Sequence, residues 1–166
     1  MSPRSIYSKA QYFDGLPDAA IDTIVTHTED LPGPMTVVYL EPMGGAIGRV
    51  EPSATAFPHR DAAYSVHILP GWSDPDRDGE LVDRAREFHD ALDPYATGGV
   101  YVNLLGRDEA DRIGAAYGRN YDRLVEIKRE WDPENLFSSN RNIDPNARSG
   151  RVTVRRTQIR PTLTRG

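Results

Sequence analysis

The sequence predicts an α+β fold: an antiparallel sheet covered on one face by helices, followed by C-terminal helices and an extended tail. Two observations carry this. Short runs rich in branched and aromatic residues (35–40, 63–69, 100–105) are interspersed with longer segments at helical spacing (17–29, 79–92, 108–115, 120–131). Their order is helix, strands, helix, strand, helices, without the regular strand–helix alternation of a parallel sheet. At 166 residues the chain is long enough for one domain with a sizeable core, or for parts of two.

The elements follow in order. Residues 3–13 are polar and aromatic, with alternation too ragged to assign. Pro17 suits a first helical turn, and Ile21, Ile24, Val25 and Thr28 share one face of the helix it opens. Leu31-Pro32-Gly33-Pro34 breaks the chain. Met35 to Leu40 reads as a buried strand, Gly44-Gly45 as a turn, and residues 46–50 as the strand paired with it. Pro52 and Pro58 mark a loop over 52–60. Residues 63–69 alternate as a strand closed by Pro70-Gly71. Leu81, Ala85, Phe88 and Leu92 form one apolar face over 79–92, ended by Pro94 and Gly98-Gly99. A short strand is expected over 100–105. Helices follow at 108–115 and 120–131, the second with Tyr121, Leu124, Ile127 and Trp131 as its apolar stripe. Asp132-Pro133 stops it, and Leu136-Phe137 is expected to return to a core. From about Asn146 the composition predicts a disordered basic tail.

Composition narrows the function classes. Apolar residues make up 38% and charged residues 27%, the balance of a soluble globular protein. No run is long enough to span a bilayer, so no membrane partner is expected. Met1-Ser2-Pro3-Arg4 has no apolar stretch behind its charge, so no signal peptide is read and a cytoplasmic location is expected for the chain as given. The absence of cysteine removes disulfides, thiolate zinc sites and thiol catalysis. A net charge of −5 argues against nucleic acid as a partner. The tail carries Arg148, Arg151, Arg155, Arg156, Arg160 and Arg165 with no acid after Asp144. It has no interleaved aromatics, and lysine occurs only at Lys9 and Lys128, so the arginines read as compositional bias.

Generic chemical motifs are sparse. His27, His59, His67 and His89 are scattered without metal-ligand spacing, and no metal is expected. No G-x-S-x-G elbow occurs. Gly44-Gly45-Ala46-Ile47-Gly48 is followed by Arg49-Val50-Glu51-Pro52 rather than a helix, so it reads as a tight connection and not as a phosphate cradle. Spacing alone defines a soluble α+β domain.

Longer motifs go further. Tyr101-Val102-Asn103-Leu104-Leu105-Gly106 resembles the Y-V-N segment of berberine-bridge and berberine-like oxidases. Ala116-Tyr117-Gly118-Arg119-Asn120-Tyr121-Asp122-Arg123-Leu124, then Ile127-Lys128, Asp132-Pro133-Glu134-Asn135-Leu136-Phe137 and Asn140-Arg141-Asn142-Ile143-Asp144-Pro145 follow in the family's order. Upstream, Gly44 to Val50 is similar to G-G-A-x-x-R-V, and Thr55-Ala56-Phe57-Pro58-His59-Arg60 to A-F-x-H-R.

The resemblance implies residues 1–98 as part of the substrate domain of an FAD-linked oxidase, 99–146 as the berberine-like C-terminal segment, and 147–166 as the basic tail. It implies an FAD-dependent oxidoreductase of alcohol or amine carbons, passing hydride to flavin. The family's flavin sits in an N-terminal domain, often attached through a histidine and a cysteine; cysteine attachment is not available in this chain. A separate flavin-binding domain or subunit is therefore the implied partner, alongside a small-molecule substrate. Family tyrosines act as bases, which points to Tyr101 first and Tyr39 second. Phenols ordinarily titrate near ~10, so a phenolate base needs a stabilising neighbour. Asn103, Asn140 and Asn142 are the implied cofactor contacts, with capping and turning the chain as their other role; His59 and Arg60 are the substrate-side candidates, with holding the loop as the favoured role. The alternative is a non-catalytic remnant acting as a binding or homo-oligomerisation module through an uncovered apolar surface.

Overall fold

A computed structural model of the chain describes residues 5–31, 35–138 and 141–147. The break at 32–34, Asn140 and the tail from residue 148 lie outside the described residues.

Three antiparallel strands form the main sheet: β2 (Lys9–Phe13), β3 (Val37–Pro42) and β4 (Tyr64–Leu69), in the order β2-β4-β3. Two short strands, β1 (Ser5–Ile6) and β5 (Gly71–Trp72), pair separately. The stretch too irregular to assign from sequence thus contains β1 and β2. All five residues of β2 are buried, including Lys9 and Gln11, so the polar positions of Lys9-Ala10-Gln11-Tyr12 do not mark a solvent-facing side.

Directly opposed residues of an antiparallel pair share a face, so the register sorts the side chains. Ala10 and Tyr39 flank His67, and Tyr12 and Glu41 flank Ser65, on one face. Phe13, Val38, Val66 and Ile68 lie on the other and pack against α1 (Asp18–Asp30) and α2 (Asp78–Leu92). Leu81, Ala85, Phe88 and Leu92 of α2 are fully buried, as their spacing requires.

Helix α1 is rotated from expectation. Ala20 and Ile24 are buried while Ile21 and Val25 are exposed, and Pro17 is the N-cap rather than the first helical residue. The stripe that packs runs Ala20, Ile24, Leu31, with His27 stacked on Phe88 at 5.1 Å. The expected buried strand at 35–40 is β3, an edge strand whose residues are mostly exposed. Its expected partner at 46–50 is a 3-10 turn, Ile47–Arg49, entered through Gly45 at φ +68°.

The expected strand at 100–105 is also a 3-10 turn, Val102–Leu104. Leu104 and Leu105 donate their N–H groups to Tyr101 and Val102 carbonyls, and Val100 and Leu105 anchor the segment by packing on Ala116. A 3-10 turn, Arg107–Arg112, then leads into α3 (Ile113–Tyr117) and α4 (Tyr121–Trp131). The stripe expected on α4 does not form a core face: Val125 is its buried residue, and Trp131 is 79% exposed. Leu136 and Phe137 do not return to a core either, at 75% and 84% exposed. The Asp132 carboxylate accepts their N–H groups at 2.7 and 3.1 Å and binds Lys128, closing a local turn that holds both side chains outward. Among the described residues no helix is long and apolar enough to cross a membrane.

Candidate active site

The face of the sheet opposite the helices carries a cluster of ionisable and aromatic side chains. A pocket of about 350 Å³ lies over it, floored by Tyr12 of β2, Glu41 of β3, and Ser65 and His67 of β4. Met43, Ile47, Phe57 and Arg60 close one side, and Tyr101 reaches it from the C-terminal segment. Ionisable side chains therefore occupy the alternate positions whose neighbours build the apolar core behind the sheet.

Tyr101 stands just before its 3-10 turn rather than on a strand. The Asn103 side-chain amide donates to its phenol oxygen at 2.8 Å, and Phe57 meets the ring edge-on at 6.5 Å. The backbone carbonyls of Asn103 and Leu105 accept from Arg141 at 3.1 and 3.0 Å, tying this turn to the C-terminal motif. Tyr12 faces the same space; burial raises its pKa, and the nearby Tyr101 and Glu41 groups raise it further, so it stays protonated.

His67 is almost fully buried. Its Nε2 lies 2.9 Å from Ser65 Oγ and 3.4 Å from Glu41 Oε2, while Nδ1 takes no hydrogen-bond partner among the described residues. A carboxylate beside Nε2 favours the tautomer that carries the proton there. Burial lowers the pKa of His67 below the ordinary imidazole value, against the pull of Glu41, so the ring is neutral at pH 7. Tyr39 stacks flat on this ring at 4.3 Å and does not line the pocket itself; burial and Glu41 raise its pKa.

His59 and Arg60 diverge. Arg60 donates to the carbonyls of Phe57 and Ile47 and to Thr55 Oγ1, at 3.2, 3.4 and 2.8 Å, and so braces the loop beside the pocket. His59 turns away, stacking on Tyr12 at 4.7 Å with Nε2 3.1 Å from the Ala116 carbonyl; burial lowers its pKa. A Cβ on Gly99 would come within 2.5 Å of the His59 ring, so the close approach depends on glycine. Asn142 is half-buried and does not line the pocket, and Asn140 lies outside the described residues.

Sequence reasoning named Tyr101 and Arg60 among the pocket residues and missed Tyr12, Glu41, Ser65 and His67. The signal available was an ionisable or hydroxyl side chain at every second position of two strands, Tyr39–Glu41 and Ser65–His67. A separate open cavity of about 750 Å³ holds the buried pair Lys9–Glu109, 3.0 Å apart, with Arg112 2.6 Å from Glu109. His89, Asp90 and Asp93 at its rim offer ligand atoms within 4.8 Å of one another, a grouping that linear spacing did not single out.

Fold and site together define a helix-backed antiparallel sheet that presents an ionisable aromatic pocket on its open face. Residues 100–144 match the family described as "Berberine and berberine like". The chain is 34% identical over 134 residues to the uncharacterized FAD-linked oxidoreductase YgaK of Bacillus subtilis, covering 81% of this chain and 30% of that protein. It is 32% identical over 158 residues to the FAD-linked oxidoreductase sorD of Penicillium rubens, covering 87% and 32%. Among solved structures, the glycopeptide hexose oxidase DBV29 complexed with teicoplanin superposes with a TM-score of 0.75 at 27% identity, over 86% of this chain and 33% of that one. Physcomitrella patens BBE-like 1 superposes with a TM-score of 0.76 at 27% identity, over 85% and 31%. The chain belongs to the berberine-bridge-enzyme-like FAD-linked oxidase family, and it spans about a third of the length of these relatives.

Proposed function

We propose that this chain is the substrate-side part of an FAD-dependent oxidoreductase, in which Tyr101 takes the proton from a substrate hydroxyl. The observation that carries the reading is the Tyr101 phenol at a pocket on the helix-free face, with the Asn103 amide donating to its oxygen. That hydrogen bond holds the phenol oxygen in a fixed position at the pocket. Tyr12, held protonated, is a hydrogen-bond donor in the same space and does not compete as a base.

The residues fit one side of a flavin site and not the whole of it. The Gly44-Gly45 turn leads into the three-residue 3-10 turn Ile47–Arg49 rather than a helix, so it lacks the helix N-terminus of a pyrophosphate cradle. Asn103 and Tyr101 are the residues that would face the ring. Bound there, the flavin would supply the hydride acceptor. The remainder of its site would come from a separate flavin-binding domain or subunit.

The test is gel filtration of the purified chain, alone and with the flavin-binding portion of a relative such as YgaK, followed by visible flavin absorbance. Flavin and both polypeptides eluting together is the result expected. A second reading, a non-catalytic binding or oligomerisation module, is favoured by the outward-facing Trp131, Leu136 and Phe137. It is the reading left if the mixture elutes as separate species and the chain alone elutes as an oligomer.

A further inference from the structure

We propose that Glu41 anchors a cationic substrate: the pocket takes a protonated amine at this carboxylate, between aromatic walls, with the carbon to be oxidised lying toward Tyr101. This rests on reading the pocket as the substrate site and names the class of substrate it selects.

The inference starts from the charges facing Glu41. Across β4, Ser65 is its directly opposed neighbour and His67 lies 3.4 Å away, neutral at pH 7. Tyr39 on its own strand and Tyr12 on β2 are phenols whose pKa values its charge raises, so neither compensates it. Among the described residues Arg60 is the one cation lining the pocket, and its Nε, Nη1 and Nη2 donate to Phe57, Ile47 and Thr55 rather than to Glu41. The Glu41 side chain is half exposed, and among the described residues His67 is its one ion-pair partner, so the carboxylate is held in place without being neutralised. A carboxylate fixed beside a pocket whose arginine donates elsewhere favours a cation or a strong donor from the ligand.

The walls point the same way. Tyr12, Phe57 and Tyr101 line the pocket, with Tyr12 and Tyr101 each edge-on to Phe57 at 6.0 and 6.5 Å. Aromatic faces around an acidic group are the recurrent recognition surface for ammonium ions. Arg60 already lies over the Phe57 ring at 4.7 Å, so the ligand's positive end belongs at the Glu41 and Tyr12 end, away from Arg60. His67 is the positioning residue here. Its buried ring, clamped under Tyr39, fixes Nε2 toward Glu41 and so fixes the carboxylate.

The experiment titrates the purified chain at pH 7 with three probes of one shape and different charge: benzylamine, benzyl alcohol and benzoate. Binding is read from backbone amide shifts of pocket residues. Benzylamine is expected to bind roughly tenfold more tightly than benzyl alcohol, with benzoate weakest. Glu41→Gln should bring benzylamine down to the level of benzyl alcohol. His67→Gln, which can still donate to Glu41, should keep most of the preference, and His67→Leu should lose most of it. Equal binding of amine and alcohol, no binding of any probe, or an amine preference that survives Glu41→Gln would overturn the proposal. Neither flavin nor turnover enters this test. Failure of the oxidase reading would appear instead as absent flavin binding with the amine preference intact.

Discussion

The Asn103 side-chain amide donates a hydrogen bond to the Tyr101 phenol oxygen at 2.8 Å, joining the first and third residues of the Y-V-N motif. Spacing of two residues brings the groups together because the segment turns as a 3-10 helix; on a strand the two side chains would point the same way without meeting end to end. Asn103→Leu removes this donor. It is expected to lower the rate of flavin reduction by about tenfold in the complex with a flavin-bearing partner, while flavin still coelutes. Loss of flavin with full activity per bound flavin would instead confine Asn103 to holding the cofactor, with no role at the Tyr101 oxygen.

Stability should depend on pH through Lys9 and Glu109. Burial pushes the Glu109 carboxyl up, but the Lys9 hydrogen bond, the Gly106 N–H and Arg112 outweigh it and hold the pKa below the ordinary value of 4.5. Burial likewise pulls Lys9 down, and the Glu109 and Tyr7 partners leave it raised above 10.5. The carboxyl's contribution is fully present above its unfolded pKa and is lost as pH falls through the lower folded one. The lysine's share is present below its unfolded pKa and is lost as pH rises through the higher folded one. Urea midpoints should therefore be level near neutrality and fall in acid. Glu109→Gln should cost about 3 kcal/mol at pH 7, because it removes the buried countercharge of Lys9, and should flatten the acid limb.

Gly99→Ala places a methyl where the His59 ring lies, 2.5 Å from its Cε1. The ring must shift, breaking its stacking on Tyr12 and its contact with the Ala116 carbonyl. A loss of about 1–3 kcal/mol is expected from equilibrium denaturation. An unchanged midpoint would show that the loop moves freely.

The helix face of this fold was legible because its apolar spacing is strict: Leu81, Ala85, Phe88 and Leu92 were expected together and are all buried. Strand β2 was not, because Lys9 and Gln11 point to the helix side and are satisfied there by Glu109 and Asp93, charges distant in sequence. Trp131, Leu136 and Phe137 read as core from their hydrophobicity alone. Nothing local distinguishes an apolar residue facing its own core from one held outward by the Asp132 turn. In the site, Tyr101 was accessible through its motif. Tyr12, Glu41 and His67 needed the register of three strands, which pairs Tyr39 with His67 and Glu41 with Ser65 and is not written in any single segment.

The outward residues bear on association. Replacing Leu136 and Phe137 with serine should leave the denaturation midpoint within about 0.5 kcal/mol of the parent, since both are largely solvated. The same change should weaken coelution with a flavin-bearing partner in gel filtration. Retained coelution would place that contact elsewhere on the surface.

The most direct test of the central claim is anaerobic flavin bleaching by an alcohol substrate in the reconstituted complex, comparing the parent chain with Tyr101→Phe. With Tyr101 as proton acceptor, the variant should keep its flavin and bleach roughly 10²–10⁴-fold more slowly. Bleaching at the parental rate in Tyr101→Phe would contradict the assignment of Tyr101 as the base.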